Sequence, residues 1–320
     1  MIDDREELTL ADALQEKIKV LHDSIWERRA DWPQVSNWLD QFEDEGTSEG
    51  DRVHALYLLS NFMYFGTSEI RALLRSLYRD VFRASVIADI RSKDPTLRMH
   101  EIEERFESEL KNTRFVSLGN PSESSAFLLY YFRQENEIPR ECFISGAEIF
   151  SHTNPGQLSL LHPDIMHYVF IDDMCGSGSQ GAEYSENTVV PLKALKTDAQ
   201  AYYYALFGAE EGIKLLKGLD RFDKVHSVVE LGDSFKCFSD ESRIYRDAPV
   251  QLSREAGKAI AYRFGSRLVR DHPLGYRNGQ LLLGFAYNTP DNTLPIIWSS
   301  GTKDVRWAPV FKRYSKLAYS

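Results

Sequence analysis

The run Tyr168-Val169-Phe170-Ile171-Asp172-Asp173-Met174-Cys175-Gly176-Ser177-Gly178-Ser179-Gln180 constrains the fold more than any other part of the chain. Four consecutive apolar residues read as a strand buried on both faces, as in the interior of a parallel sheet. Two adjacent carboxylates follow at its C-terminal end, where they are expected to lie partly open to solvent. Such a pair is costly to bury without partners. A loop of small and hydroxyl residues comes next, its glycines able to take positive φ. In open α/β sheets ligands bind outside the C-terminal strand ends, where these groups would fall. The carboxylates can accept hydrogen bonds from ribose hydroxyls, and the N–H groups of an open loop can wrap a phosphate.

Text on either side of this block alternates between strand and helix. Phe115 to Leu118 and Cys142 to Ser145 read as short strands. Ala201 to Phe207 and Val225 to Leu231 are further strands, separated by a helix around Glu210 to Leu216. Alternation of this kind predicts a parallel α/β sheet. The turn Gly119-Asn120-Pro121-Ser122-Glu123-Ser124-Ser125 leads into an apolar helix. Its N–H groups suit an anion, and Ser122 also suits an ordinary helix cap. Ser151 to His162 reads as a polar loop, and Gln280 to Trp298 as an irregular, proline-punctuated cap.

Residues before Lys111 read as helical. Thr9 is placed to cap a helix with Leu14, Ile18, Leu21 and Ile25 on one face, running to about Arg29. A second helix is expected from about Arg52 to Phe65, a third from Gly66-Thr67-Ser68, and a fourth between Asp94-Pro95 and Lys111. Arg71, Arg75, Arg79 and Arg83 recur every four residues on the third, forming a basic stripe or simply its wet face. The expected organisation is a helical region over residues 1–110 and an α/β domain over 111–320, with a C-terminal cap from about 240.

The formal charge of the chain is −10, and residues 1–51 alone hold 5 Lys/Arg against 15 Asp/Glu. Nucleic-acid binding is therefore not favoured. An acidic docking segment for a protein partner or a second copy fits this distribution, as do solvated acidic helices. No apolar run approaches the length of a membrane helix, and Met1 to Glu7 lacks the apolar core of a secretory signal. The cysteines at 142, 175 and 237 have no metal-ligand spacing. A cytoplasmic protein is expected.

Two other motifs share the letters of the loop. Gly176-Ser177-Gly178-Ser179-Gln180-Gly181 fits G-x-G-x-x-G, but Asp198 precedes the next strand instead of ending it. Asp172-x-x-Cys175-Gly176-Ser177-Gly178 is similar to the cofactor loop of S-adenosylmethionine-dependent nucleic-acid amino-methyltransferases. Their second motif has only a poor counterpart here, Asn288-Thr289-Pro290-Asp291.

The block as a whole resembles the phosphoribosyl-pyrophosphate motif of type I phosphoribosyltransferases, in which four apolar residues, two acids and a small loop occur in this order. More loosely, residues 111–320 resemble the phosphoribosyltransferase-like proteins of prokaryotic conflict (antiphage defence) gene clusters, through Phe170-Ile171-Asp172-Asp173, Gly275-Tyr276, Tyr287 to Pro295 and Trp298. The resemblance implies the parallel α/β sheet of the type I architecture and a phosphoribosyl pyrophosphate or nucleotide ligand. It implies that Asp172 and Asp173 are the catalytic acids facing the ribose 2′ and 3′ hydroxyls. The loop Cys175, Gly176, Ser177, Gly178, Ser179 and Gln180 would hold the 5′-phosphate. Ser177 and Ser179 would stand where threonines are commoner. Gly119, Asn120, Ser122 and Ser124 are the candidate pyrophosphate loop, with Mg²⁺ carried on the ligand. Ser151–His162 lies where the family keeps a lid. It holds His152 and His162 but no Lys or Arg. The implied activity is pentosyl transfer, a glycosyltransferase chemistry, by a defence effector. The alternative is a catalytically silent nucleotide-binding module signalling through protein partners.

Overall fold

The computed structural model describes residues 9–42, 49–118, 124–154 and 157–314. Among them nine strands occur: β1 (Met63–Phe65), β2 (Thr113–Ser117), β3 (Phe143–Ile144), β4 (Phe150–Asn154), β5 (Gln157–Leu160), β6 (His167–Cys175), β7 (Gln200–Ala209), β8 (Lys224–Leu231) and β9 (Leu283–Phe285). Five of them form one sheet in the order β3-β2-β6-β7-β8. Every pairing in that sheet is parallel. The α/β expectation and the strands behind it are therefore met.

The sheet belongs to a compact unit of residues Glu69–Leu231. Its two faces are covered differently. One carries Val116, Tyr168, Phe170, Tyr203 and Val225, packed with Leu192, Leu216 and Phe222. The other is aromatic: Phe115 meets Phe82 at 5.0 Å and Phe132 at 5.1 Å, both edge-on. Edge-to-face rings of this kind add to the stabilisation that their burial already supplies. Phe82 and Phe132 come from helical segments at 67–93 and 124–135, so the sheet is sandwiched between helices as a parallel sheet must be.

Two helices are interrupted by π-type turns, Leu77–Arg83 and Ser185–Val189. The second has a visible cause. Pro191 lies two residues beyond its end, lacks an N–H, and would crowd the preceding turn of a regular helix.

The other unit unites Met1–Ser68 with Gly232–Ser320. This corrects the expected division into 1–110 and 111–320. The helices over 69–111 belong with the sheet, and the C-terminal cap belongs with the first 68 residues. The physical reason is pairing across the length of the chain. β1 lies parallel to β9, Met63 opposite Leu283 and Phe65 opposite Phe285. Phe62 stacks on Phe311 at 4.3 Å and Trp26 meets the same ring edge-on at 5.1 Å. The indole N–H of Trp38 donates to the Ile296 carbonyl at 2.7 Å.

Local readings in this unit hold better. Thr9 caps the helix Leu10–Ser24, with a reciprocal capping box to Asp12. The helix expected to reach Phe65 stops at Ser60, and β1 follows it. Gln280–Trp298 is not wholly irregular, because it contains β9.

Candidate functional site

The strand order builds the site before any side chain is considered. From β2 the chain crosses to β3 on one side of it, then returns to place β6 on the other. Helix Ser124–Glu135 follows β2 and helix Ser179–Tyr184 follows β6. Phe132 of the first helix packs with Phe115, and Gly181 of the second faces Tyr203 and Leu216 on the opposite side of the sheet. The two connections therefore leave on opposite faces. Such a topological switch point opens a crevice at the C-terminal ends of the two strands. The predicted phosphate loop leaves β6 at this crevice, and β2 ends beside it at Ser117.

Asp172 does not lie at the open end of β6. The strand continues to Cys175, and Asp172 is only 7% exposed. Both of its oxygens are used. Tyr203 on β7 donates its hydroxyl proton to Oδ2 at 2.6 Å, and the backbone N–H of Asp173 donates to Oδ1 at 2.9 Å. Burial pushes the Asp172 carboxyl up to about 8. The neighbouring Asp173 charge pushes the same way, and the Tyr203 hydrogen bond opposes both. Asp172 thus holds its proton more tightly than an exposed carboxyl would, against the expectation of an open carboxylate. Asp173 is half-buried, as expected of a group at the mouth of a crevice.

The loop after β6 is held from beneath. Gly178 takes φ 76°, the left-handed conformation that glycine tolerates, and starts the helix Ser179–Tyr184. Within the loop the Ser177 hydroxyl donates to the Ser179 hydroxyl at 3.0 Å, and the Ser179 N–H points back to Ser177 Oγ at 3.3 Å. Helix Glu210–Gly218, which follows β7, supports this loop by backbone contact. A Cβ on Gly212 would collide with the Gly176 carbonyl, and one on Gly178 would fall 2.8 Å from the Gly212 carbonyl.

Cys175 is 2% exposed and burial pushes its thiol up to about 12. It can offer a ligand only its backbone, and it is no nucleophile at neutral pH. Ser177 and Ser179 are half-buried and Gln180 is exposed. Gly119, Asn120 and Ser122 lie outside the described residues. Ser124 opens the helix Ser124–Glu135, and its side chain also lies outside the description.

The expected loop Ser151–His162 is largely strand where it is described, over 151–154 and 157–160. β4 pairs antiparallel with β5, Phe150 opposite Leu160 and Ser151 opposite Ser159. The arginine stripe is internally paired. Arg71 and Arg75 both meet Glu135, Arg79 meets Asp80, and Arg83 meets Glu103.

Two residues important to this site were not singled out from sequence. Tyr203 sits in the run Tyr202-Tyr203-Tyr204, which reads only as a strand. Gly212 reads only as a weak spot in a helix. Neither carries a local signal, because each acts on a neighbour that topology alone supplies.

A family model described as PRTase-CE matches residues 35–313 of the chain. No curated protein matches it. Among solved structures, the Helicobacter pylori xanthine-guanine-hypoxanthine phosphoribosyltransferase is 8% identical over 52% of this chain and 85% of its own, with a TM-score of 0.28. Hypoxanthine phosphoribosyltransferase from Trypanosoma cruzi, complexed with the product IMP, is 17% identical over 58% of this chain and 86% of its own, with a TM-score of 0.26. TM-scores this low carry no weight for shared topology.

Proposed function

The chain belongs to the PRTase-CE family, and we propose that it binds a ribose 5-phosphate-type ligand, phosphoribosyl pyrophosphate or a nucleotide, at the C-terminal ends of β2 and β6. One observation carries this reading. The strand, acid pair and small loop fall at the sheet's switch point, with the loop pinned against helix Glu210–Gly218. The N–H groups of the loop and of the helix it starts are the donors for the 5′-phosphate. Asp173 supplies a carboxylate beside them for the sugar hydroxyls.

Transfer of the pentosyl group breaks the C1′–O bond to pyrophosphate and asks the protein mainly for positioning and exclusion of water. Among the described residues no group of three or more His, Cys, Asp or Glu forms a metal cage. Asp173 would offer a hard oxygen to Mg²⁺ carried chiefly on ligand phosphates, and the ion would there neutralise pyrophosphate charge. We propose pentosyl transfer as the activity of a conflict-system effector.

A second reading, ligand binding without turnover, is favoured by a specific observation. Asp172 is buried with both oxygens occupied, and the strands β4 and β5 carry no Lys or Arg. The deciding experiment pairs calorimetric titration of phosphoribosyl pyrophosphate and Mg²⁺ with an assay for released pyrophosphate. Binding with release supports transfer, and binding without release supports the silent module. Absence of binding overturns both, and tight binding of S-adenosylmethionine instead would revive the methyltransferase alternative.

Among the described residues no helix is long and apolar enough to cross a membrane. The acid-rich first 51 residues suit contact with a protein partner or a second copy of the chain. Sedimentation at low and high salt tests this, because such contacts weaken as charges are screened.

A further inference from the structure

We propose that the outer edge of β8 is a docking surface for a second copy of this chain, whose own β8 pairs with it antiparallel about a two-fold axis at Val228. The sheet ends at β8, and among the described residues no strand lies along its outer side. The two edges of the sheet are built differently. β3 is two residues long, follows Pro139, and lies between short 3₁₀ turns at Arg140–Cys142 and Gly146–Glu148. Short, interrupted edges of that kind resist pairing with another chain. β8 runs for eight residues, Lys224–Leu231, without proline or glycine. An edge of that length offers a row of backbone donors and acceptors to an incoming strand. Helix Glu210–Gly218 and the π-type turn Leu77–Arg83 pack against β8, and Val225 is buried. Ser227, Val228 and Val229 are half-buried, and His226 and Glu230 are exposed. Lys224, the residue suited to guard the edge, is committed elsewhere. Its ammonium donates to the Ser85 hydroxyl at 2.6 Å and pairs with Asp89.

The strand complements itself in one register. With the axis at Val228, His226 lies opposite Glu230 of the second copy, and symmetry makes that pair twice. Ser227 falls opposite Val229, and Val228 meets its own counterpart at the centre. Residues opposed in this way share a face of the sheet and interact directly. Burial, Lys217 and Lys224 hold the His226 imidazole below its ordinary value, and Glu230 of its own strand opposes them. A ring N–H is therefore what the second carboxylate meets, and it gains a charged acceptor. Moving the axis to Ser227 would set Glu230 opposite Lys224, which Asp89 already holds. The contact uses the same surface on both copies, so it closes at a dimer with one continuous sheet.

The experiment is sedimentation velocity of the full chain over a range of concentrations, beside thermal melts, for the parent, His226→Glu and Glu230→Lys. The parent should self-associate. His226→Glu sets carboxylates against each other, and Glu230→Lys takes the acceptor from His226. Each variant alone should melt like the parent and self-associate about 10-fold more weakly, because the altered pair occurs twice. Mixed together, the two variants restore one His226–Glu230 pair and create one lysine–glutamate pair. The mixture should then associate as the parent does, a recovery that a damaged strand cannot give. A parent that stays monomeric overturns the proposal. So do variants that associate like the parent, or a mixture that does not recover. If either variant melts early, hydrogen exchange of the parent decides. Amides of residues 225–230 should gain protection as concentration rises, and protection independent of concentration would overturn the pairing.

Discussion

The Tyr203 hydroxyl on β7 lies 2.6 Å from Oδ2 of Asp172 on β6, and both side chains are buried. This one bond joins two central strands on the face of the sheet that carries Tyr168 and Phe170. Tyr203→Phe removes the donor and leaves a buried carboxyl short of a partner. The expected cost is about 1–3 kcal/mol of stability, read from denaturant unfolding with an unchanged slope. An unaltered midpoint would show that the bond does not form.

The same pair predicts a pH dependence. The Asp172 carboxyl, raised to about 8 by burial, keeps its proton in the folded chain. In the unfolded chain it ionises near its ordinary value of about 4. Between these values the folded state holds one more proton than the unfolded state. Stability contributed by this residue is therefore fully present at low pH and falls as pH rises through the window. The slope is at most about 1.4 kcal/mol per pH unit, and it levels off above the folded value. The difference between parent and Asp172→Asn melting curves from pH 5 to 9 isolates the effect. A constant difference would mean that Asp172 is ionised in the fold.

Gly178→Ala and Gly212→Ala should each disturb the loop of residues 175–180. At 178 a Cβ meets positive φ and the Gly212 carbonyl together, and at 212 it meets the Gly176 carbonyl. The conformational strain alone is about 1–2 kcal/mol, and ligand binding should fall further than stability does. Gly218→Ala, at the end of the same helix, meets nothing within 4 Å. It should be neutral or stabilise by up to about 1 kcal/mol. Equal behaviour of all three variants in calorimetry and melts would refute the supporting role of Gly212.

Phe311→Ala opens a cavity between Trp26, Phe62 and Tyr64, whose rings lie 5.1, 4.3 and 5.6 Å from it. A buried phenylalanine truncated to alanine typically costs about 3–5 kcal/mol. Hydrogen exchange should show helices Leu10–Ser24 and Arg254–Leu268 losing protection while β6 and β7 keep theirs. Loss spread evenly over the chain would mean that the two compact units do not open separately.

The sequence by itself determined the elements whose causes are local. Thr9 and Asp12 specify a helix start because capping is settled within one turn. Tyr168 to Ile171 specify a central strand because four apolar residues in a row need cover on both faces. The parallel sheet follows from alternation, and the position of Asp172 to Gln180 follows from the sheet. Only tertiary structure decided the rest. Nothing near Met63 or Leu283 announces that they pair, so the union of residues 1–68 with 232–320 could not be read from periodicity. Asp172 and Asp173 look equivalent on paper. They differ because Tyr203, brought alongside by strand register, reaches Asp172 and buries it. Propensity and capping act over a few residues, whereas a carboxyl's charge state depends on whichever side chains and solvent surround it once distant strands have met.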